Sequence, residues 1–204
     1  VVRFTPAYMG IRQSVEQGEI GQAGVVRTFR GGSQFPEGWQ DWFANFDLSG
    51  GVILDLAIHD LDLCRWLFGD VQRVYAKTSR GRTTAHLEHA MIVLRFKSGV
   101  IAHVEGSWTN FKGEFYTTME VAGTNGLISY DSRTTNPIIT MAVPEESMQV
   151  GAVAANPYVL ELQDIVQAIG DDRPPLVSVQ DAFGTLQVAL AALESTRTGQ
   201  VIEL

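Results

Sequence analysis

The chain has 204 residues, 45% hydrophobic and 19% charged, with 15 Lys and Arg against 23 Asp and Glu and a formal net charge of -8. It can bury a sizeable core, so disorder is excluded and one large domain or two small ones are expected. The acidic balance, without a Lys/Arg cluster, argues against nucleic acid or an anionic membrane as partner. No uncharged apolar run approaches the ~18 residues of a membrane span, and Cys64, the single cysteine, excludes a disulfide framework or a Cys-based metal site. A cytoplasmic setting is the default expectation.

In chain order, Val1-Val2-Arg3-Phe4 is strand-like, and without an initiating Met a segment preceding residue 1 is expected. Tyr8, Ile11 and Val15 have helical spacing over about residues 7–17, ended by Gly18. Residues 25–30 alternate as a strand. Residues 31–48, rich in Gly, Asp and the aromatics Trp39, Trp42, Phe43 and Phe46, show no sustained period and read as an ordered loop with a short helical turn. Ser49 is a suitable N-cap for a helix over residues 52–68, with Ile53, Leu56, Ala57, Leu63, Cys64 and Leu67 as its buried stripe and Gly69-Asp70 as its stop.

From residue 71 to about 143 the period becomes that of strands, over residues 71–78, 87–96, 100–109, 116–122, 127–130 and 138–143. Tight turns between them imply antiparallel neighbours. In the third of these strands, Val100, Ala102, Val104 and Trp108 share one face, while Ile101, His103, Glu105, Ser107 and Thr109 share the other. After a flexible-looking stretch at 151–155, Asn156 and Pro157 open a helix to about residue 169. Asp171-Asp172-Arg173-Pro174-Pro175 breaks it, and a last helix runs over about residues 179–198. The fold class is therefore α+β, a large, predominantly antiparallel open sheet with helices on one face. Its half-apolar open face predicts self-association as a homodimer or homotetramer.

The most informative run is Ser49-Gly50-Gly51-Val52-Ile53-Leu54-Asp55-Leu56-Ala57-Ile58-His59-Asp60-Leu61-Asp62. Residues four apart on a helix lie above one another, so Asp55 and His59 can share a hydrogen bond, and Asp62 extends the face toward Trp66. A carboxylate beside an imidazole is how a tuned general base is built. A divalent metal would need further ligands, with His103 and Glu105 brought close, because one helix leaves the coordination sphere incomplete; no metal is expected.

Gly-Gly-x3-Asp-x3-His-x2-Asp, with Arg3-Phe4-x-Pro6 and Gly18-Glu19-Ile20-Gly21 before it and Asn156-Pro157-Tyr158-x2-Glu161 after it, resembles the C-terminal domain of the glucose-fructose oxidoreductase and inositol dehydrogenase family. The resemblance covers nearly the whole chain. It implies an NAD(P)-dependent oxidoreductase acting on a sugar, cyclitol or related polyol, with the substrate and oligomerisation half present here. NAD or NADP would be held mainly by an N-terminal Rossmann domain, and no Gly-x-Gly-x-x-Gly occurs in this sequence. The Lys that family members carry in a Glu-Lys-Pro motif is absent with it, so the chain alone is expected to be inactive. A non-enzymatic ligand-binding or regulatory module on the same scaffold is the alternative.

By the same resemblance His59 is the base that deprotonates the substrate hydroxyl, and Asp55 orients its ring and favours the imidazolium. Arg3 and Tyr158 match positions near substrate or nicotinamide. Trp39, Asp41 and Trp42 lie in the stretch that varies with substrate and suit a sugar ring. Structural readings stand beside these: Asp62 pairing with Arg65, Arg3 as a strand-edge charge, the aromatic group as loop core, Tyr158 packing at a helix start, and Gly50-Gly51 permitting close backbone packing.

Overall fold

Alternation of buried and exposed residues along successive strands builds one twisted sheet in the computed structural model. The structure describes residues 1–79, 86–109, 112–134, 138–142, 146–150 and 156–204, with residues 146–150 described by their backbone. The strands are β1 (Ala23–Gln34), β2 (Val71–Thr78), β3 (Glu88–Phe96), β4 (Ile101–Thr109), β5 (Tyr116–Gly123), β6 (Gly126–Asp131), β7 (Ile138–Ala142), β8 (Glu146–Val150) and β9 (Ile202–Glu203). Their order in the sheet is β8-β7-β6-β5-β1-β4-β3-β2-β9. Among the described residues β1 and β4 are the one parallel pair, with Val26 opposite Ala102, and the other pairings are antiparallel.

The helices are α1 (Pro6–Glu16), α2 (Phe46–Ser49), α3 (Ile58–Phe68), α4 (Pro157–Gly170) and α5 (Val179–Thr198), with 3-10 turns at Val2–Phe4 and Trp39–Ala44 and a π turn at Ile53–Ala57. In β4, Ala102, Val104 and Trp108 are buried, as are Ile92 and Leu94 of β3 and Val74 of β2. Val188, Ala189 and Ala192 of α5 are buried in the same core. Small residues let α5 approach β2 closely enough for Ser195 Oγ to accept the Ala76 N–H at 2.9 Å. On the opposite face Tyr75, Met91, Val93 and Ile101 are exposed. The expected division of the sheet into covered and open faces is found.

Four local expectations are corrected. Val2–Phe4 forms a 3-10 turn with Arg3 and Phe4 buried, not a strand. β1 runs on to Gln34 because its pairing with β4 continues to Thr109. Ser49 ends α2 and accepts the Gly51 N–H at 3.0 Å, and the next helix begins as a π turn without a side-chain cap. The edge strands β8 and β9 lie outside the expected strands, because their short runs carry little periodic signal. The stretch 151–155 lies outside the described residues, as do Asn110 and Phe111 of the turn after β4.

Candidate active site

Two successive glycines set the start of the site. Gly50 and Gly51 have φ of 68° and 70°, left-handed values that glycine adopts without steric cost. A Cβ on Gly50 would lie 2.4 Å from Leu54 Cδ1, so close packing is one real use of this pair. The chain then turns into the sheet, where the Val52 N–H donates to buried Glu88 Oε2 at 3.0 Å. The Ile58 N–H reaches back to Ile53 O, closing the π turn, and Ala57 packs on Gly106 of β4, where an added Cβ would sit 3.2 Å from Ala57 Cβ. π turns of this kind are frequent at functional sites.

Asp55 lies in the π turn, half-buried, and burial raises its pKa above the ordinary 3.8. His59 is exposed on the first turn of α3. No hydrogen bond joins Asp55 to His59 among the described residues. The change of helical pitch between them means that i, i+4 spacing alone does not secure contact. Nor is the imidazolium favoured. Crowding by protein atoms first, and the Arg30 guanidinium second, lower the His59 pKa below 6.5, with Asp60 and Asp62 opposing them. The neutral ring, the form able to accept a proton, is therefore the resting form at neutral pH.

The charges behind His59 come from residues the motif did not single out. Arg30 of β1 donates to Asp60 of α3 through Nε–Oδ2 at 2.6 Å and Nη2–Oδ1 at 3.2 Å, and both residues are buried. The pairing holds the guanidinium firmly protonated against the cost of burial. Tyr8 lies nearby, donating to Thr117 Oγ1 at 3.2 Å, and burial first and Asp60 second push its phenol well above the ordinary range.

Arg3 and Asp62 are brought together. Arg3 donates Nε and Nη2 to Asp62, each at 2.7 Å, and Thr185 Oγ1 of α5 donates to Asp62 at 2.9 Å. Arg65 instead holds Asp181 O and Thr185 Oγ1, so Asp62 pairs with Arg3 rather than with Arg65. Trp39 is 80% exposed. Asp41 Oδ2 accepts from His86 Nε2 at 2.8 Å, and both Gln40 and Asp41 have left-handed backbone. Trp42 and Phe43 belong to the loop core through edge-on contacts running to Trp108 and Phe35. Tyr158 is exposed at the start of α4, where Asn156 Oδ1 caps its N–H as expected. No hydrogen bond, ion pair or ring contact ties Trp39, Asp41 or Tyr158 to His59 among the described residues. Nor do any three His, Cys, Asp or Glu among them gather to hold a metal, and no helix is long and apolar enough to cross a membrane.

Residues 8–129 match the GFO/IDH/MocA C-terminal domain, and the chain belongs to that family. It is 30% identical to a 1,5-anhydro-D-fructose reductase from Ensifer adhaerens, over 100% of this chain and 62% of that protein. It is 27% identical to a scyllo-inositol 2-dehydrogenase (NAD(+)) from Bacillus subtilis, over 99% of this chain and 60% of that protein. In fold it is similar to a putative oxidoreductase from Thermotoga maritima, with a TM-score of 0.84 at 22% identity over 100% of this chain and 62% of that one. The chain thus spans about three fifths of the curated relatives it matches.

Proposed function

We propose that this chain is the substrate and oligomerisation domain of an NAD(P)-dependent oxidoreductase acting on a sugar, cyclitol or related polyol. The observation that carries the reading is His59, exposed on the first turn of α3 beside the buried Arg30–Asp60 pair. Oxidising a secondary alcohol removes a hydride from carbon and a proton from oxygen, and this chain supplies the acceptor for the proton. A neutral imidazole beside the hydroxyl takes that proton, and Asp60 and Asp62 offset the charge it gains. Half-buried Asp55 lies one turn before His59 on the same segment.

The chain's own residues do not fit a dinucleotide. Its described sheet has a single parallel pair, and no Gly-x-Gly-x-x-Gly turn opens a helix N-terminus that would hold a pyrophosphate. We assign the cofactor to the part of the full-length protein outside this chain. Trp39, Asp41 and Tyr158 supply stacking and hydrogen-bonding groups for the polyol, while Arg3 and Asp62 act as a paired support for the helix face. The open sheet face, with Met91, Val93 and Ile101 exposed, is the surface for a second copy.

The test is a sugar and polyol dehydrogenase screen of the full-length protein with both nucleotides, paired with calorimetry of the 204-residue chain against NADH. Turnover by the former and no micromolar binding by the latter are expected. Absence of turnover across the screen, or tight nucleotide binding by the chain alone, overturns the reading.

A further inference from the structure

Asp60 follows His59 in sequence but turns the other way. His59 is exposed on the first turn of α3, whereas Asp60 is buried and both its carboxylate oxygens accept from Arg30 of β1. Burial works against the charge of the guanidinium, and Asp60 first, then the Tyr8 phenol, outweigh it. Well-packed apolar residues of similar volume are often as stable as a buried ion pair or more so. Stability alone therefore does not account for two charges set directly behind a candidate base.

The other charged groups around His59 have their own partners or are weakly charged. Asp62 of α3 accepts twice from Arg3 at 2.7 Å and once from Thr185 at 2.9 Å. Arg65 of α3 is held by Asp181 O and Thr185 Oγ1. Asp55 of the π turn is half-buried, which disfavours its ionised form. The Arg30–Asp60 pair remains, and it lies where water screens charge least. Its two members act on the imidazole in opposite senses, with Arg30 the stronger.

We propose that Arg30 and Asp60 are positioning residues that act on proton transfer through His59 with opposite signs, the guanidinium opposing the charge the imidazole gains and the carboxylate supporting it. This rests on the oxidoreductase reading. In alcohol oxidation the hydroxyl proton passes to a ring nitrogen as hydride leaves carbon, and in the reverse direction the imidazolium returns that proton to the carbonyl oxygen as hydride arrives. A cation behind the ring favours giving the proton up. The pair thereby sets the pH at which His59 changes from acceptor to donor.

The test is the pH profile of kcat/KM for alcohol oxidation by the full-length protein, on the best substrate from the dehydrogenase screen, with NMR titration of His59 in the same samples. Arg30→Gln removes the cation, so the acid limb and the His59 titration should both move to higher pH, the acid constant of the imidazolium falling at least about threefold. Arg30→Lys keeps the charge and should restore both. Asp60→Asn removes the anion and should move both to lower pH by a similar factor. Opposite displacements from the two halves of one ion pair are the expected result. Lowered kcat in both variants with the limb and titration unmoved, or displacement in the same direction, overturns the proposal and leaves the pair a structural tie. Should Arg30→Gln fail to fold, Asp60→Asn decides alone, and an unmoved His59 titration overturns the proposal. A protein without turnover on any screened substrate loses the oxidoreductase reading, whereas turnover with an unmoved titration loses only the role of the pair.

Discussion

Arg30 of β1 and Asp60 of α3 form a two-point ion pair at 2.6 and 3.2 Å, with side chains 8% and 1% exposed, one residue along the helix from His59. The pair ties the helix of the candidate site to the middle of the sheet and places a fixed positive charge near the imidazole.

Removing one partner of a buried pair leaves the other charge uncompensated, which costs about 3–5 kcal/mol. Asp60→Ala should lower stability by that order in denaturant unfolding. Arg30→Met/Asp60→Leu should cost less than Asp60→Ala alone, because no orphaned charge remains.

His59→Ala in the full-length protein should lower kcat by about 10²–10⁴-fold with cofactor affinity nearly unchanged. The pH dependence follows from the downward shift. The folded state holds fewer protons at His59 than the unfolded chain does, so stability is lost as pH falls from about 6.5 through the folded value. NMR titration should place His59 below 6.5, and His59→Gln should remove its part of the slope.

Asp55 carries the opposite shift, upward and caused by burial, and it has no hydrogen-bond partner among the described residues. Its ionised form is therefore favoured less in the folded state, and stability from this group declines as pH rises from 3.8 through the folded value. Asp55→Asn should leave the Tm at pH 7 unchanged or raised, and should reduce kcat less than His59→Ala does.

Gly50→Ala forces a side chain onto left-handed backbone and against Leu54. A cost on the order of 1–3 kcal/mol is expected, read as a lower urea midpoint.

On the open face, Val93→Glu/Ile101→Glu places like charges across any two-fold contact. Light scattering should show the unaltered chain above its 22.4 kDa monomer mass and the variant at that mass.

The sheet was legible because period-2 alternation from Val71 onward matches a sheet with one covered face. Asp55 and His59 stood out through spacing, but their relationship did not follow from it, since the segment passes through a π turn at Ile53–Ala57 before the regular helix begins. Arg30 and Asp60 do carry a signal in the sequence. Arg30 shares strand parity with Val26 and Thr28, both buried, and Asp60 falls among Leu56, Ala57, Leu61 and Cys64 on the buried side of the helix. A cation and a carboxylate each on an inward face call for one another. What could not be read was that β1 and β4 are neighbours, because a parallel pairing leaves no turn signature.

That parallel pairing also governs when the site forms. Val25 pairs with Ile101, and between them lie the Trp39–Ala44 turn, the helix bearing His59, and two strands. The ends of this long excursion must meet before Arg30 and Asp60 are locked on a completed sheet. Closing so large a loop is an entropic cost met early in folding, and non-local strand pairing is slow. The face that carries His59 is therefore completed only once β4 pairs with β1, and a nascent chain ending before β4 has the motif without the platform that holds it.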